Sequence, residues 1–282
     1  MAVPLDPPVA FAPLLRLDRL RLLDLLAGLA PEEWRRDTPC PGWTVLGLVS
    51  HLVGVDLSVI SSNRDHHHGT PAPAGIDEAG FIDWLDDLQR EWVHAARRIS
   101  PQLMVQLLAF LDEHVATTLA RQDPRARTAT VSWASDEPQP VWLDHGRELT
   151  ERWIHRQQLH EAIGQPSDLR PDLVGPVLDT LRWAYPHRLR QVDHPTGTAM
   201  LVEVDGEGQR HRWCLLRDEQ EWTFVPRVID HLDAVVTMST EQAWRLLSNN
   251  YREDAHGPIG IHGDPQLGAV IMNTRGIIGH PQ

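Results

Sequence analysis

Two side chains on one predicted helix, Glu151 and His155, are of the types that together hold a transition metal. They lie in Glu148-Leu149-Thr150-Glu151-Arg152-Trp153-Ile154-His155-Arg156-Gln157-Gln158-Leu159-His160, a run of good helix formers with no Gly or Pro before Gly164. Residues four apart stack on one helix face, so the carboxylate and the imidazole point the same way. On adjacent turns they can share one divalent cation, most often zinc, provided a further protein ligand completes the site. Without that ligand the pair reads as two polar groups on an exposed face.

His51 is the candidate for the missing ligand. It follows Thr38-Pro39-Cys40-Pro41-Gly42-Trp43-Thr44, a turn rich in Pro and Gly that runs into a helix with Thr44 as its N-cap. Leu48, Leu52, Val55 and Val59 form the apolar stripe of that helix, and His51 sits at its edge. Taken alone, a histidine there is more often a satisfied core side chain than a ligand. His66-His67-His68 also invites a metal reading, but consecutive imidazoles on a loop do not converge as an i, i+4 pair does. Cys40 has no base near it in sequence and is expected to pack beneath its turn rather than act as a nucleophile.

The elements that must position these residues are mostly helices. Apolar stripes mark residues 11–29, 44–62, 77–99 and 142–163, and Ser100-Pro101 caps and opens another helix reaching about 121. In the third of these, Phe81, Trp84, Leu85, Leu88, Trp92 and Ala95 are expected to face inward. Residues 128–133 read as a short extended connection. After Gly164-Gln165-Pro166-Ser167 the texture changes to one helix (172–185) and then short alternating segments at 198–204, 210–216 and 221–225, an antiparallel meander. A fourth strand at 234–238, a short helix near 240–248 and a last one after Gly263-Asp264-Pro265 follow. The expected architecture is an all-α N-terminal four-helix bundle over residues 1–167, then a smaller α+β domain with an antiparallel sheet over 168–282. Facing helices in a bundle are where metal ligands pool.

Composition narrows the function. The formal net charge of −13, with no basic patch to offset it, argues against nucleic-acid binding. Arginines are interleaved with acidic residues on helical faces, which reads as mostly solvated charge. No continuous 18-residue apolar run and no signal-like N-terminus are visible, so no membrane partner and a cytoplasmic location are expected. Cys40 and Cys214 lie far apart, and no disulfide is expected.

The turn at 38–44, the helical His51 and Glu151-x-x-x-His155 about a hundred residues later together resemble the mycothiol-dependent maleylpyruvate isomerase family. That family is part of the DinB-like metalloenzymes. Residues 234–279 are similar to its C-terminal domain, which is related in shape to sterol-carrier modules. The resemblance implies that His51, Glu151 and His155 ligate zinc or another divalent metal, with a fourth position open for catalysis. It implies mycothiol as thiol cosubstrate and a small electrophilic substrate of a kind that carries carboxylates. The thiol would add to the electrophile in a cis–trans isomerisation, or stay attached in an S-transfer. Arg245, in Ala243-Trp244-Arg245-Leu246-Leu247, corresponds to an arginine that the isomerase employs and would clamp a carboxylate. Many relatives follow this motif with Lys-Gly or Gly-Arg, where this chain has Asn249-Asn250. Two other classes stay open: a thiol-independent hydrolase, lyase or cyclase using the same metal, and a non-catalytic small-molecule binder. A monomer or a homodimer fits equally.

Overall fold

The computed structural model describes residues 3–128, 130–206 and 208–277. The chain divides into two compact units. One comprises residues 6–126 and 145–168, the other residues 1–5, 127–144 and 169–282. Residues 127–144, read from sequence as part of the bundle, therefore group with the C-terminal segment.

The first unit is helical. It contains α1 (Phe11–Ala27), a 3-10 turn (Glu33–Arg35), α2 (Val45–Asn63), α3 (Glu78–Ala96), α4 (Pro101–Ala120) and all but the first turn of α5 (Val141–Ala162). Caps set the helix starts. Thr44 accepts from the Gly47 amide at 3.3 Å, and Ser100 accepts from the Leu103 amide at 3.3 Å with Pro101 at the first helical position. α2 and α4 are long and apolar enough to cross a bilayer, with mean hydropathy of 1.7 and 1.2. In this fold their apolar sides make the core: Leu48, Val49 and Leu52 of α2, and Met104 and Leu108 of α4, are fully buried. α3 is less immersed than its pattern predicts, and Ala96 rather than Ala95 is its buried alanine. It is seated on α2 where Gly54 leaves room for the indole of Trp92, which a Cβ at Gly54 would meet at 2.6 Å. The Trp92 Nε1 donates to the Ser50 carbonyl at 2.7 Å.

The arginines of α5 correct the expectation of solvated charge. Arg152 and Arg156 are buried, and so are Asp18 and Arg19 of α1 and Asp56 of α2. Asp56 accepts from Arg19 at 2.5 Å and from Arg152 at 2.9 Å. Arg152 also donates to Glu148 at 2.6 Å, while Arg156 donates to Asp18 at 2.8 Å and to Asp168 at 2.7 Å. α5 thus presents guanidinium groups to the bundle interior, each matched by a buried carboxylate on another helix. The Arg152 guanidinium is desolvated, but Glu148 and Asp56 outweigh that and hold it protonated more firmly than usual.

The second unit is α+β. It contains α6 (Pro171–Leu181), α7 (Ala184–Leu189), β1 (Ala199–Gly206), β2 (Gln209–Arg217), β3 (Trp222–Val225), β4 (Ala234–Ser239), α8 (Thr240–Leu247), α9 (Glu253–His256), β5 (Gly260–Gly263) and α10 (Pro265–Met272). The single helix expected at 172–185 is two, because Pro186 cannot donate to the carbonyl of residue 182. The strands order as β3-β2-β1-β4-β5. Three of these pairings are antiparallel, but β1 and β4 run parallel, with Val202 beside Val236, so the sheet is mixed. β5 is short and bounded by glycines, and the sequence offered no strand signal for it. Trp213, Trp222 and Trp244 fill this unit's core. Of the segment 234–279 singled out from sequence, residues 278 and 279 lie outside the described residues.

Candidate metal centre

The centre is built on the first unit. The loop before α2 closes on itself: the Thr38 amide donates to the Trp43 carbonyl at 3.0 Å, and the Trp43 amide donates to the Cys40 carbonyl at 3.1 Å. Gly42, at φ 79°, supplies the left-handed turn that an L side chain resists. This fixes the start of α2 and swings the indole of Trp43 to 4.9 Å from the His51 ring. His51 is buried, in the second turn of α2. Glu151 and His155 occupy adjacent turns of α5, as the i, i+4 spacing predicts.

The three residues meet. Glu151 Oε1 lies 3.0 Å from His51 Nε2 and 3.1 Å from His155 Nε2. One potential ligand atom from each falls within 4.8 Å of the others. The imidazoles stand edge to face, with centroids 4.8 Å apart and planes at 79°. Around a tetrahedral zinc with ligands at about 2.0–2.1 Å, neighbouring donors are about 3.3 Å apart. The two carboxylate–imidazole separations fall close to that edge length. The donor set of two imidazoles and one carboxylate, with both Nε2 atoms turned to one point, fits a divalent metal with an open position.

Each ring is held from behind. His51 Nδ1 is 2.9 Å from Oε1 of Gln89 on α3, and His155 Nδ1 is 2.6 Å from Oε1 of Gln158 on α5. Cys40 Sγ donates to the same Gln158 oxygen at 3.1 Å and lies 3.9 Å from His155 Nδ1. The thiol is therefore on the far side of the ring from Nε2, and Cys40 braces the imidazole instead of only packing beneath its turn. Burial works to raise the Glu151 pKa, but His155 and His51 override it and hold the carboxyl well below the usual range. Burial likewise works to lower the His155 pKa, and the Glu151 charge with the Cys40 and Glu151 contacts drives it well upward instead.

The sequence singled out His51, Glu151 and His155, and the fold brings them together. It did not single out Gln89 or Gln158, since a glutamine on a helix has no distinguishing local pattern. Arg245 belongs to the other unit, on α8, where it is buried. Its Nε donates to Glu241 at 2.6 Å, and its guanidinium carbon lies 4.5 Å from the Trp244 ring centroid. His66, His67 and His68 are exposed and do not enter the cluster.

Residues 15–160, over half the chain, match the family profile described as the mycothiol maleylpyruvate isomerase N-terminal domain. The chain belongs to that family. Among solved structures it is similar to the crystal structure of the mycothiol-dependent maleylpyruvate isomerase, at TM-score 0.56 and 14% identity, covering 92% of this chain and 93% of that one. A histidine-to-alanine mutant of that isomerase is similar at TM-score 0.55 and 13% identity, with the same coverage. At such identity the likeness establishes a shared fold. No curated protein sequence matches the chain. Within the mycothiol maleylpyruvate isomerase family profile lie the 38–44 turn, His51, Glu151 and His155.

Proposed function

We propose that this protein binds one zinc-class ion through His51, Glu151 and His155 and uses it to direct mycothiol at a small electrophile, as an isomerase or an S-transferase. The observation that carries the proposal is the meeting of both Nε2 atoms on one carboxylate oxygen, inside a chain that matches the family. A divalent ion there would lower the pKa of a thiol reaching it, so that an external thiol serves as nucleophile at neutral pH. The thiolate sulfur would then bond to one carbon of an activated cis double bond, whose π pair moves onto the activating carbonyl as an enolate. Rotation about the resulting carbon–carbon single bond and return of that pair with expulsion of the thiolate give isomerisation, and protonation of the enolate with the sulfur–carbon bond retained gives transfer.

The chain's own residues orient and shield. Glu151 holds both imidazoles at hydrogen-bond distance, and the Trp43 indole covers the His51 ring. No protein thiol is needed, because the one cysteine at the cluster faces Nδ1 of His155. Arg245 is proposed as the clamp for a substrate carboxylate, its planar fork oriented by Glu241 and Trp244. Replacing it with Ala is expected to raise KM for such a substrate about 10- to 150-fold, the equivalent of about 1.5–3 kcal/mol.

The deciding experiment combines metal analysis with turnover in the presence and absence of mycothiol. About one zinc per chain, lost in His51→Ala with helicity retained, and turnover only with mycothiol are expected. Turnover without any thiol would refute the thiol reaction and favour a hydrolase, lyase or cyclase. Full metal content in His51→Ala would refute the ligand assignment.

A further inference from the structure

Gln89 and Gln158 make the contacts that decide which nitrogen of each histidine can bind a metal. A neutral imidazole carries one N–H and one lone pair, and the partner of one nitrogen fixes the role of the other. An amide oxygen can only accept. Facing Nδ1 at 2.9 and 2.6 Å, the two glutamine oxygens accept the Nδ1 proton, so the proton that an incoming metal displaces is the one on Nε2, which otherwise donates to Glu151. Nε2 is the atom that converges on Glu151 in both rings. Were either amide turned over, its NH2 group would donate to Nδ1 and force the proton onto Nε2, blocking ligation. At Gln158 the same oxygen is also 3.1 Å from Cys40 Sγ, a weak donor that this orientation supplies with an acceptor.

The two supports arrive by different routes. Gln158 is three residues beyond His155 on α5, so helix geometry alone puts it beside the ring. Gln89 comes from α3 and reaches His51 because α3 is drawn onto α2 three residues further along both helices. There Trp92 sits over Gly54 and bonds the Ser50 carbonyl. Both supports are uncharged. Carboxylates behind metal-bound histidines orient the ring too, but they add negative charge and raise its basicity. With amides, the only formal negative charge in the proposed ligand set is that of Glu151.

We infer that Gln89 and Gln158 are positioning residues of the metal centre, each holding its histidine with the proton on Nδ1 and so setting metal affinity without adding charge. The inference rests on His51, Glu151 and His155 being the metal ligands. It is tested by zinc affinity, measured by competition with a chromophoric chelator, for the wild type and for Gln89→Met, Gln158→Met, Gln89→Glu and Gln158→Glu. Each Met variant is expected to bind zinc about 10- to 100-fold more weakly, and each Glu variant at least as tightly as the wild type. Nitrogen-15 NMR of the imidazoles provides a readout that loss of packing would not produce. In the zinc-loaded wild type both rings carry a slowly exchanging Nδ1 proton, and in each Met variant the Nδ1 proton of the affected ring loses its acceptor, shifts upfield and exchanges faster.

Met variants within about twofold of wild-type affinity, or a wild-type proton on Nε2, overturn the inference and leave the metal site standing. A wild type that takes up no zinc overturns the metal site itself, and the inference falls with it. If a Met variant loses helicity, the Glu variants and the NMR assignment still decide.

Discussion

Removing the Asp56 carboxylate tests whether the buried charges hold α5 in the roll that aims Glu151 and His155. Asp56 is fully buried and accepts from two buried guanidiniums, Arg19 at 2.5 Å and Arg152 at 2.9 Å. Asp56→Ala leaves both cations in the core with one fewer acceptor. Arg152 keeps Glu148 at 2.6 Å, but among the described contacts Arg19 loses its buried carboxylate. Breaking a buried ion pair from one side costs about 3–5 kcal/mol. At an unfolding entropy of about 2.1 cal/mol/K per residue, that is a fall of roughly 5–8 °C in Tm. Denaturant unfolding followed by circular dichroism measures the loss directly.

The companion variant replaces Asp56 with Leu, and Arg19 and Arg152 with Met. It removes these three charges together, leaves Glu148 paired with Arg147 at 2.5 Å, and is expected to recover most of the stability, since a buried ionic cluster and a well-packed apolar one are often near parity. We hypothesise that its zinc affinity nevertheless stays below wild type, because apolar contacts fix the roll of α5 less sharply than paired donors do. A loss below about 1 kcal/mol in Asp56→Ala would refute the reasoning, showing that the guanidiniums find other partners without cost. Wild-type zinc affinity in the triple variant would refute the link to the site.

Other outcomes follow from the same geometry. In the metal-free protein the Glu151–His155 pair should stabilise most between about pH 4.5 and 6.5, the ordinary values of the two groups. As pH falls, Glu151 is protonated and its share is lost; as pH rises through the elevated His155 pKa, the imidazolium share is lost. A pH series of Tm compared with Glu151→Gln measures this, and identical profiles would contradict it. Gly54→Ala should cost about 1–3 kcal/mol by driving a methyl into Trp92, and should weaken zinc binding by moving Gln89 off His51; unchanged stability would show that α3 shifts freely. Cys40→Ala should keep mycothiol-dependent turnover and bind zinc within about threefold of wild type, because an S–H is a weak donor. Abolished turnover with full zinc content would assign Cys40 a chemical role.

The sequence carried the local parts of the site well. Thr44 and Ser100 announce helix starts, and the i, i+4 spacing fixes a shared face for Glu151 and His155 on any helix. His51 needed the resemblance, since its position beside the apolar stripe suits a core histidine equally. The buried charges were misread for a specific reason. Glu148, Arg152 and Arg156 show the pattern of a solvated face, and the partners of the two arginines, Asp56 and Asp18, lie on other helices, where no local pattern can reveal them. Gln89 escaped for the same reason: its significance comes from the α2–α3 approach at Gly54. In the second unit, alternation found the first four strands, but no alternation tells a parallel neighbour from an antiparallel one, and β5 is too short to alternate.

The continuity of α5 bears on how this chain can be divided. Residues 141–144 of that helix group with one unit and the rest with the other, so the backbone changes unit inside a hydrogen-bonded helix. With further changes after residues 5, 126 and 168, neither unit is a contiguous stretch of the chain. A fragment ending at residue 167 would carry Trp142 without Trp183, whose ring packs edge-on at 6.5 Å in the intact unit. Such a fragment should be poorly soluble, and limited proteolysis should nick the exposed residues 64–77 before it severs the chain near 144. A gene encoding this arrangement cannot exchange one unit for another by a single end-to-end join.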